Sequence, residues 1–359
     1  MDPMAGSGTV LRAASELGHQ CVGFDLDPLA VLMSKVWTSR IDPDVLLERA
    51  EAVVQRAKSA SGAQLPWVSD CAETSEFVST WFERKQVMPL RRVARVLSEM
   101  TGPYADALRL VLSRTIITKE RGASIARDTS HSRPHRTFYN NDYDVYAGMI
   151  QAAKRLGARL VSDRLKGDVK VGLGDARNLS RVADASIDAV VTSPPYLNAI
   201  DYLRGHRLSL VWLGYTLGSL RGVRSRSIGS EVSAYDDQQL ALDELLKNAG
   251  RLKNLPDREY GMVCRYALDI EDMLQEIART LRPGGKVVLV VGDSRLKEVS
   301  ISNAMINVAA AKRAGLRHRH TTERKLPARS RYLPIPSKRA GRSSLSLRMR
   351  TETVLSFTR

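Results

Sequence analysis

The run Thr192-Ser193-Pro194-Pro195-Tyr196 closes an apolar stretch, Ile187 to Val191, on two adjacent prolines and an aromatic ring. Two prolines hold two φ angles at about −65° and remove two backbone donors, so the Ser193 and Pro194 carbonyls have no ladder to join and must point elsewhere. Such a turn can aim the Ser193 hydroxyl and both carbonyls at one amino group. Pro195 keeps the turn stiff, and Tyr196 offers a flat face on which a planar ring can stack. An amine conjugated to an aromatic ring is a poor nucleophile, because its lone pair is delocalised. Acceptors placed on its two hydrogens favour the pyramidal form with a localised lone pair, ready for in-line attack on an electrophilic carbon. The plainer alternative is a proline-rich strand exit.

A second constellation lies near the start of the chain. Gly6-Ser7-Gly8-Thr9 is a glycine turn into a helix, where the missing side chains let backbone approach a ligand closely. Asp25 closes the next apolar run, about 20 residues on, which is the spacing at which a carboxylate takes ribose hydroxyls in nucleotide folds. Asp25 and Asp27 also suit a simple turn before Pro28. Asp175, after Val169 to Gly174, can accept from an adenine amino group or cap a helix.

These groups need elements to hold them. A helical run from Val10 to Leu17 precedes a short strand, Gln20 to Phe24. Strands recur at Val169 to Leu173, Ile187 to Val191 and Lys286 to Val291, the last expected to be the most cleanly buried, with a final strand at Glu352 to Phe357. Helical periodicity covers Val45 to Lys58, Pro89 to Met100, Asp269 to Leu281, where Arg282-Pro-Gly-Gly285 stops it, and Ser302 to Ala314. Strands that alternate with helices and end in polar residues predict an α/β, doubly wound, mostly parallel sheet with ligands beyond the carboxyl ends of its strands. The expected organisation is a cofactor-binding part at 1–37, a mainly helical insertion at 38–165, and the rest of the same domain at 166–359 with a smaller insertion at about 198–265.

In these motifs the chain resembles the S-adenosylmethionine-dependent amino methyltransferases of DNA, the cytosine N4 and adenine N6 enzymes. Asp2 to Thr9 is similar to their first motif, Gly23 to Pro28 to the second, Gly174-Asp175 to the third and Thr192 to Tyr196 to the catalytic fourth, and the likeness extends to Arg282-Pro-Gly-Gly285 and its strand. The resemblance implies a Rossmann-like methyltransferase sheet. It implies that Asp2, Pro3, Gly6 and Gly8 line the methionine end of the cofactor, Asp25 its ribose and Asp175 its adenine, while Ser193, Pro194, Pro195 and Tyr196 hold the target base. The long insertion is unexplained by it, except as a candidate target-recognition region.

Charge points to the same partner. The chain of 359 residues carries a formal net charge of +16, which makes a polyanion the default partner. A base inside a duplex must be flipped out to reach Ser193, which calls for cationic surface and stacking groups. The C-terminal third is dense in Lys and Arg, including Arg329, Arg331, Lys338 and Arg339. Arg133 and Arg136, next to Phe138 and Tyr139, and Arg204 and Arg207, just past the catalytic turn, complete the expected nucleic-acid contacts. His131 and His135 have no acidic or thiol neighbour, so no metal is expected. Cys21, Cys71 and Cys264 lie far apart without a CxxC pair, and no apolar run reaches membrane-spanning length, so a soluble cytoplasmic protein is expected.

The reading is therefore DNA methylation at an exocyclic amine. Serine ahead of Pro-Pro-Tyr leans towards cytosine N4 over adenine N6. The rivals are an RNA guanine N2 methyltransferase and an inactive nucleic-acid-binding subunit of a modification or defence assembly. Met1 stands directly before the Asp2-Pro3 that should close the central strand, and the residues of that strand are absent. Three ways of filling the slot are open: a longer reading frame, a strand from a second polypeptide, or a later segment of this chain. The first two are favoured, and with them weak cofactor binding until the segment is supplied.

Overall fold

The computed structural model describes residues 1–117, 121–126, 140–160, 164–197, 201–228, 239–326 and 351–359. Helix α1 (Thr9–Glu16), strand β1 (Cys21–Asp25) and helix α2 (Pro28–Trp37) open the chain. Then come helices α3 (Pro43–Ser59), α4 (Pro66–Ser69), α5 (Ala72–Trp81), α6 (Arg84–Ser98), α7 (Pro103–Ile116) and α8 (Val145–Gly157). Strands β2 (Val169–Leu173) and β3 (Ile187–Thr192) precede helices α9 (Leu203–Leu210), α10 (Leu217–Ser225), α11 (Gln239–Leu246) and α12 (Asp257–Thr280). Strand β4 (Leu281–Val291), the hairpin β5 (Ser294–Leu296) and β6 (Val299–Ile301), helix α13 (Asn303–Arg313) and strands β7 (Arg317–Lys325) and β8 (Thr351–Thr358) finish it.

Local chemistry sets many of these boundaries. Asp27, Asp42 and Asp144 each accept backbone N–H groups of the helix they precede, and α2 and α3 begin with a proline whose missing donor costs nothing there.

β1 pairs in parallel with β2, and β3 with β4. β8 runs antiparallel to both β4 and β7, so β7 runs with the others and β8 alone is reversed. Met1 and Asp2 lie between β1 and β3. Asp2 donates to the Val22 carbonyl and accepts from Phe24, while Met1 donates to Ala189 and accepts from Val191. The strand order is thus β2, β1, residues 1–2, β3, β4, β8, β7, a doubly wound and mostly parallel α/β sheet. Met1 and Asp2 occupy the carboxyl end of the central slot, where the sequence places its closing residues.

Apolar side chains form two large clusters. One is built from the helices of residues 41–160 together with α2, α9 and α10; the other packs α11, α12 and α13 on β3, β4 and β8. The helical insertion therefore shares its core with the helix that follows β1 and with the helices that follow the Ser193–Tyr196 turn. Among the described residues, no helix is long and apolar enough to cross a membrane.

Three features differ from expectation. β7 has no counterpart among the strands expected from sequence, because all nine of its residues are exposed and it has no apolar alternation. Arg282-Pro-Gly-Gly285 does not separate helix from strand: β4 already pairs at Leu281, and these residues bulge before pairing resumes at Lys286. In β4 itself Val287, Leu289 and Val291 are fully buried while Val288 and Val290 are half-buried, so its two faces are covered unequally.

Candidate active site

The carboxyl ends of β1, β2 and β3 meet around the N-terminal turn. Gly6 and Gly8 both take positive φ, +52° and +85°, which a side chain would strain. A Cβ on Gly8 would come within 2.9 Å of Ser34, so Gly8 is needed for packing on α2. A Cβ on Gly6 would meet nothing within 4 Å, so Gly6 turns its bare face to open space. The turn is tied down by the Ser34 hydroxyl, which donates to the Gly6 carbonyl at 2.9 Å.

Asp25 receives the Gly6 amide at 2.8 Å on one oxygen and the Asp27 amide at 2.9 Å on the other. Burial nevertheless pushes its carboxyl above the usual carboxylate range. A carboxylate has about four acceptor positions, so two remain for incoming hydroxyls. Asp2 is more enclosed, at 3% exposure. It accepts from the Thr192 hydroxyl at 2.7 Å and the Met4 amide at 3.1 Å, and burial outweighs these bonds to raise its pKa to about 6. A cationic group docking here would relieve the desolvated charge.

Asp175 is placed differently from its expected role as a free acceptor. Against a burial that favours the neutral acid, Arg177 holds its carboxyl below the usual range, with bonds to Oδ1 from the backbone and Nε at 3.0 Å and to Oδ2 at 2.7 Å. Arg177 also donates to Asp269 at 2.5 Å and to the Arg226 carbonyl. Beside this pair, a cavity of about 320 Å³ is bordered by Phe24, Leu26, Pro28, Leu173, Gly174 and Leu179 among others. The open face at Gly6, the two spare acceptor positions on Asp25 and this slot, which Asp175, Asn178, Ser180, Arg181 and Arg226 also border, together fit a cofactor with a ribose and a planar base.

At the Ser193–Tyr196 turn, the Ser193 hydroxyl donates to the Val290 carbonyl of β4 at 2.8 Å. The same side chain lies within hydrogen-bonding reach of the Tyr196 hydroxyl. The Tyr196 hydroxyl donates to Glu352 at 2.9 Å, at the start of β8. Burial first, and then the Glu352 carboxylate, push the phenol well above its usual range. Pro194 is buried and Pro195 half-buried, so the turn is packed on both sides of its rigid segment.

Residues beyond the turn reach back to the cofactor side. His206 on α9 bonds Asp27 at 2.5 Å, and Asp27 also caps α2 through the Leu29 amide at 2.8 Å. The expected nucleic-acid contacts Arg204 and Arg207 are largely occupied by protein. Arg204 donates to Asp201 at 3.1 Å, and Arg207 stacks its guanidinium over the Phe77 ring at 5.1 Å. Arg204 is thus paired with a carboxylate, whereas Arg207 rests on an aromatic face. Arg133, Arg136, Arg329, Arg331, Lys338 and Arg339 lie outside the described residues, as do His131 and His135. Among the described residues, no group of three or more His, Cys, Asp or Glu side chains could hold a metal ion.

The chain is similar along 99% of its length to the Type II methyltransferase M.MvaI of Kocuria varians, with 21% identity over 395 aligned positions and 83% of that protein covered. The chain is an S-adenosylmethionine-dependent methyltransferase. Its motif set is that of the amino DNA methyltransferases. A shorter match, 30% identical over 122 residues, covers 34% of the methyltransferase and 18% of the Type II methyltransferase M.BsoBI of Geobacillus stearothermophilus. No family model matches. Among solved structures it is similar to a protein from Thermus thermophilus, assigned to the DNA modification methylases and complexed with S-adenosyl-L-methionine: TM-score 0.27, 17% identity, 52% of this chain and 53% of that one covered. An rRNA methyltransferase of Streptomyces viridochromogenes gives a TM-score of 0.28 at 12% identity, over 99% of this chain and 74% of that one. Scores this low leave the fold to be argued from the strand order itself.

Proposed function

We propose that the methyltransferase acts on DNA, transferring a methyl group to the exocyclic amine of a flipped-out base, with cytosine N4 favoured over adenine N6. The observation that carries this reading is the Ser193 hydroxyl, whose proton is committed to the Val290 carbonyl. A hydroxyl so bonded turns its lone pairs to an incoming base and can accept from an NH2 group. With the Tyr196 ring alongside, the turn offers an acceptor and a stacking face to one aromatic amine.

S-adenosylmethionine supplies, when bound, a methyl group on a positively charged sulfur. The chain's own residues do the rest. Gly6 lets the turn lie close against the cofactor, Asp25 takes its ribose hydroxyls with the positions left by two backbone amides, and buried Asp2 answers the ammonium of its methionine end. Asp175, already bound three times by Arg177, has little left for an adenine amino group, so the apolar side of the slot, at Phe24, Leu26 and Leu173, carries more of that contact. Ser193 draws on the amine hydrogens, localises its lone pair and receives part of the positive charge that develops as the new bond forms.

The net charge of +16 supports a nucleic-acid partner, and serine at the head of Pro-Pro-Tyr supports cytosine N4 by family resemblance. Residues 38–165 are proposed as the target-recognition region. Transfer of tritium from labelled S-adenosylmethionine to unmethylated DNA and to RNA, with mass spectrometry of the digested nucleosides, tests the whole. N4-methylcytosine from DNA is expected. N6-methyladenine would overturn the choice of base, methylated guanosine from RNA the choice of polymer, and no transfer the enzymatic reading on these substrates.

A further inference from the structure

Tyr196 is the stacking face in that reading, and within the turn itself its hydroxyl is approached by the Ser193 side chain. Further partners come from the far edge of the sheet. Its hydroxyl donates to Glu352 Oε1 at 2.9 Å, and the other carboxylate oxygen, Oε2, receives two bonds from Arg324, Nε at 2.9 Å and Nη2 at 2.6 Å. Arg324 and Glu352 are direct cross-strand partners of β7 and β8. The Glu352 side chain is only 12% exposed, whereas that of Arg324 is 58% exposed. A carboxylate this enclosed, 156 residues along the chain from Tyr196, is held in place by a partner on each oxygen.

We propose that Glu352, supported by Arg324, is a positioning residue for methyl transfer, anchoring the Tyr196 hydroxyl so that the ring meets the target base in one orientation. The inference rests on the base-stacking reading of Tyr196. It explains why the reversed strand β8 begins with a half-buried acid beside the Ser193–Tyr196 turn. β8 runs against its neighbours, so its first residues lie at the carboxyl end of the parallel strands, where the chemistry is. A ring free to swing between side-chain rotamers would have to be ordered afresh by each incoming base. A ring whose hydroxyl is held stays in one rotamer beside the base.

The test is a double-mutant cycle in the full chain. Tyr196→Phe, Glu352→Ala, their combination, Glu352→Gln and Tyr196→Ala are compared for turnover on unmethylated DNA and for calorimetric affinity for S-adenosylmethionine. Glu352→Ala should lower turnover by about tenfold to a hundredfold, the scale of a misplaced reacting group, with cofactor affinity unchanged. In the Tyr196→Phe background, where the hydroxyl is already gone, it should add no further loss. Glu352→Gln, which keeps an acceptor for the hydroxyl and guards against a folding defect in the alanine variant, should retain more activity than Glu352→Ala. Multiplying losses in the double variant, cofactor affinity falling in step with turnover, or glutamine no better than alanine would each overturn the anchoring role. Wild-type turnover by Tyr196→Ala would instead overturn the stacking reading beneath it.

Discussion

At the scale of single residues, the site depends on side chains whose hydrogen-bonding capacity is already partly spent. Ser193 gives its proton to Val290 and keeps its lone pairs, so Ser193→Ala removes an acceptor used only as the amine attacks. Turnover should fall by roughly two orders of magnitude or more, as for loss of one preorganised polar group, while cofactor affinity measured by calorimetry stays within about twofold. Asp2 shows the opposite economy, a buried charge that costs stability until a ligand arrives. Its pKa is raised to about 6, against an unfolded value of about 3.9. A raised carboxyl stabilises the fold only while protonated, so its contribution is full below the unfolded value and is lost as pH rises through about 6. Asp2→Asn should therefore raise the melting temperature at pH 7.5 but hardly at pH 4, and should weaken S-adenosylmethionine binding. Equal shifts at both pH values would show that the charge of Asp2 is not what strains the site. Ser193, Tyr196, Gly6 and Asp25 are legible in the sequence because each sits in a short local pattern. Arg177 leaves a usable trace, an arginine two residues past an aspartate at a strand end. Glu352 and Val290 leave none, since their partners are 156 and 97 residues away.

At the scale of elements, the sequence shows helices and strands wherever one face is apolar and is silent where that signal is missing. Strand β2 occupies the same residues that its pattern predicts, and β3 does so to within one residue. β7, Arg-His-Arg-His-Thr-Thr-Glu-Arg-Lys, is a strand only because β8 pairs with it, and pairing with a distant segment has no period to detect. The same limit hides the link between α9 and α2. His206 bonds the aspartate that caps α2, and so ties the segment behind the catalytic turn to the loop carrying Asp25. Breaking that tie should uncouple the two ligands. In His206→Ala, cofactor affinity without DNA should fall only a few-fold, whereas the enhancement of cofactor binding by DNA, measured in paired titrations, should shrink by about fivefold or more, the usual lower range of a coupling between sites. An unchanged enhancement would mean that the contact merely holds α9 in place.

At the scale of the whole molecule, a chain carrying +16 must place its cations where a polyanion can use them, and the described site offers few. Arg204 is bound to Asp201, Arg207 lies over Phe77, Arg177 is bound by Asp175 and Asp269, and Arg324 is bound by Glu352. The three carboxylate-bound arginines hold the site together and leave most phosphate binding to other residues. The segment 327–350 carries Arg329, Arg331, Lys338 and Arg339, and its two flanks are fixed. Lys325 and Thr351 pair across β7 and β8, one residue beyond the Arg324–Glu352 pair that supports Tyr196. Whatever path the segment takes, it leaves and rejoins the sheet at the end where the base is expected. Replacing those four cations by glutamine should weaken binding to DNA of any sequence while leaving sequence preference intact. Each cation that neutralises a phosphate contributes about 0.9 to the slope of log affinity against log salt, so the slope should flatten by up to about 3 to 4. Because Ser193 and Tyr196 are untouched, turnover at saturating DNA should change little. A slope that stays where it was would remove this segment from the DNA-binding surface and move the search for phosphate contacts to the helical region of residues 38–165.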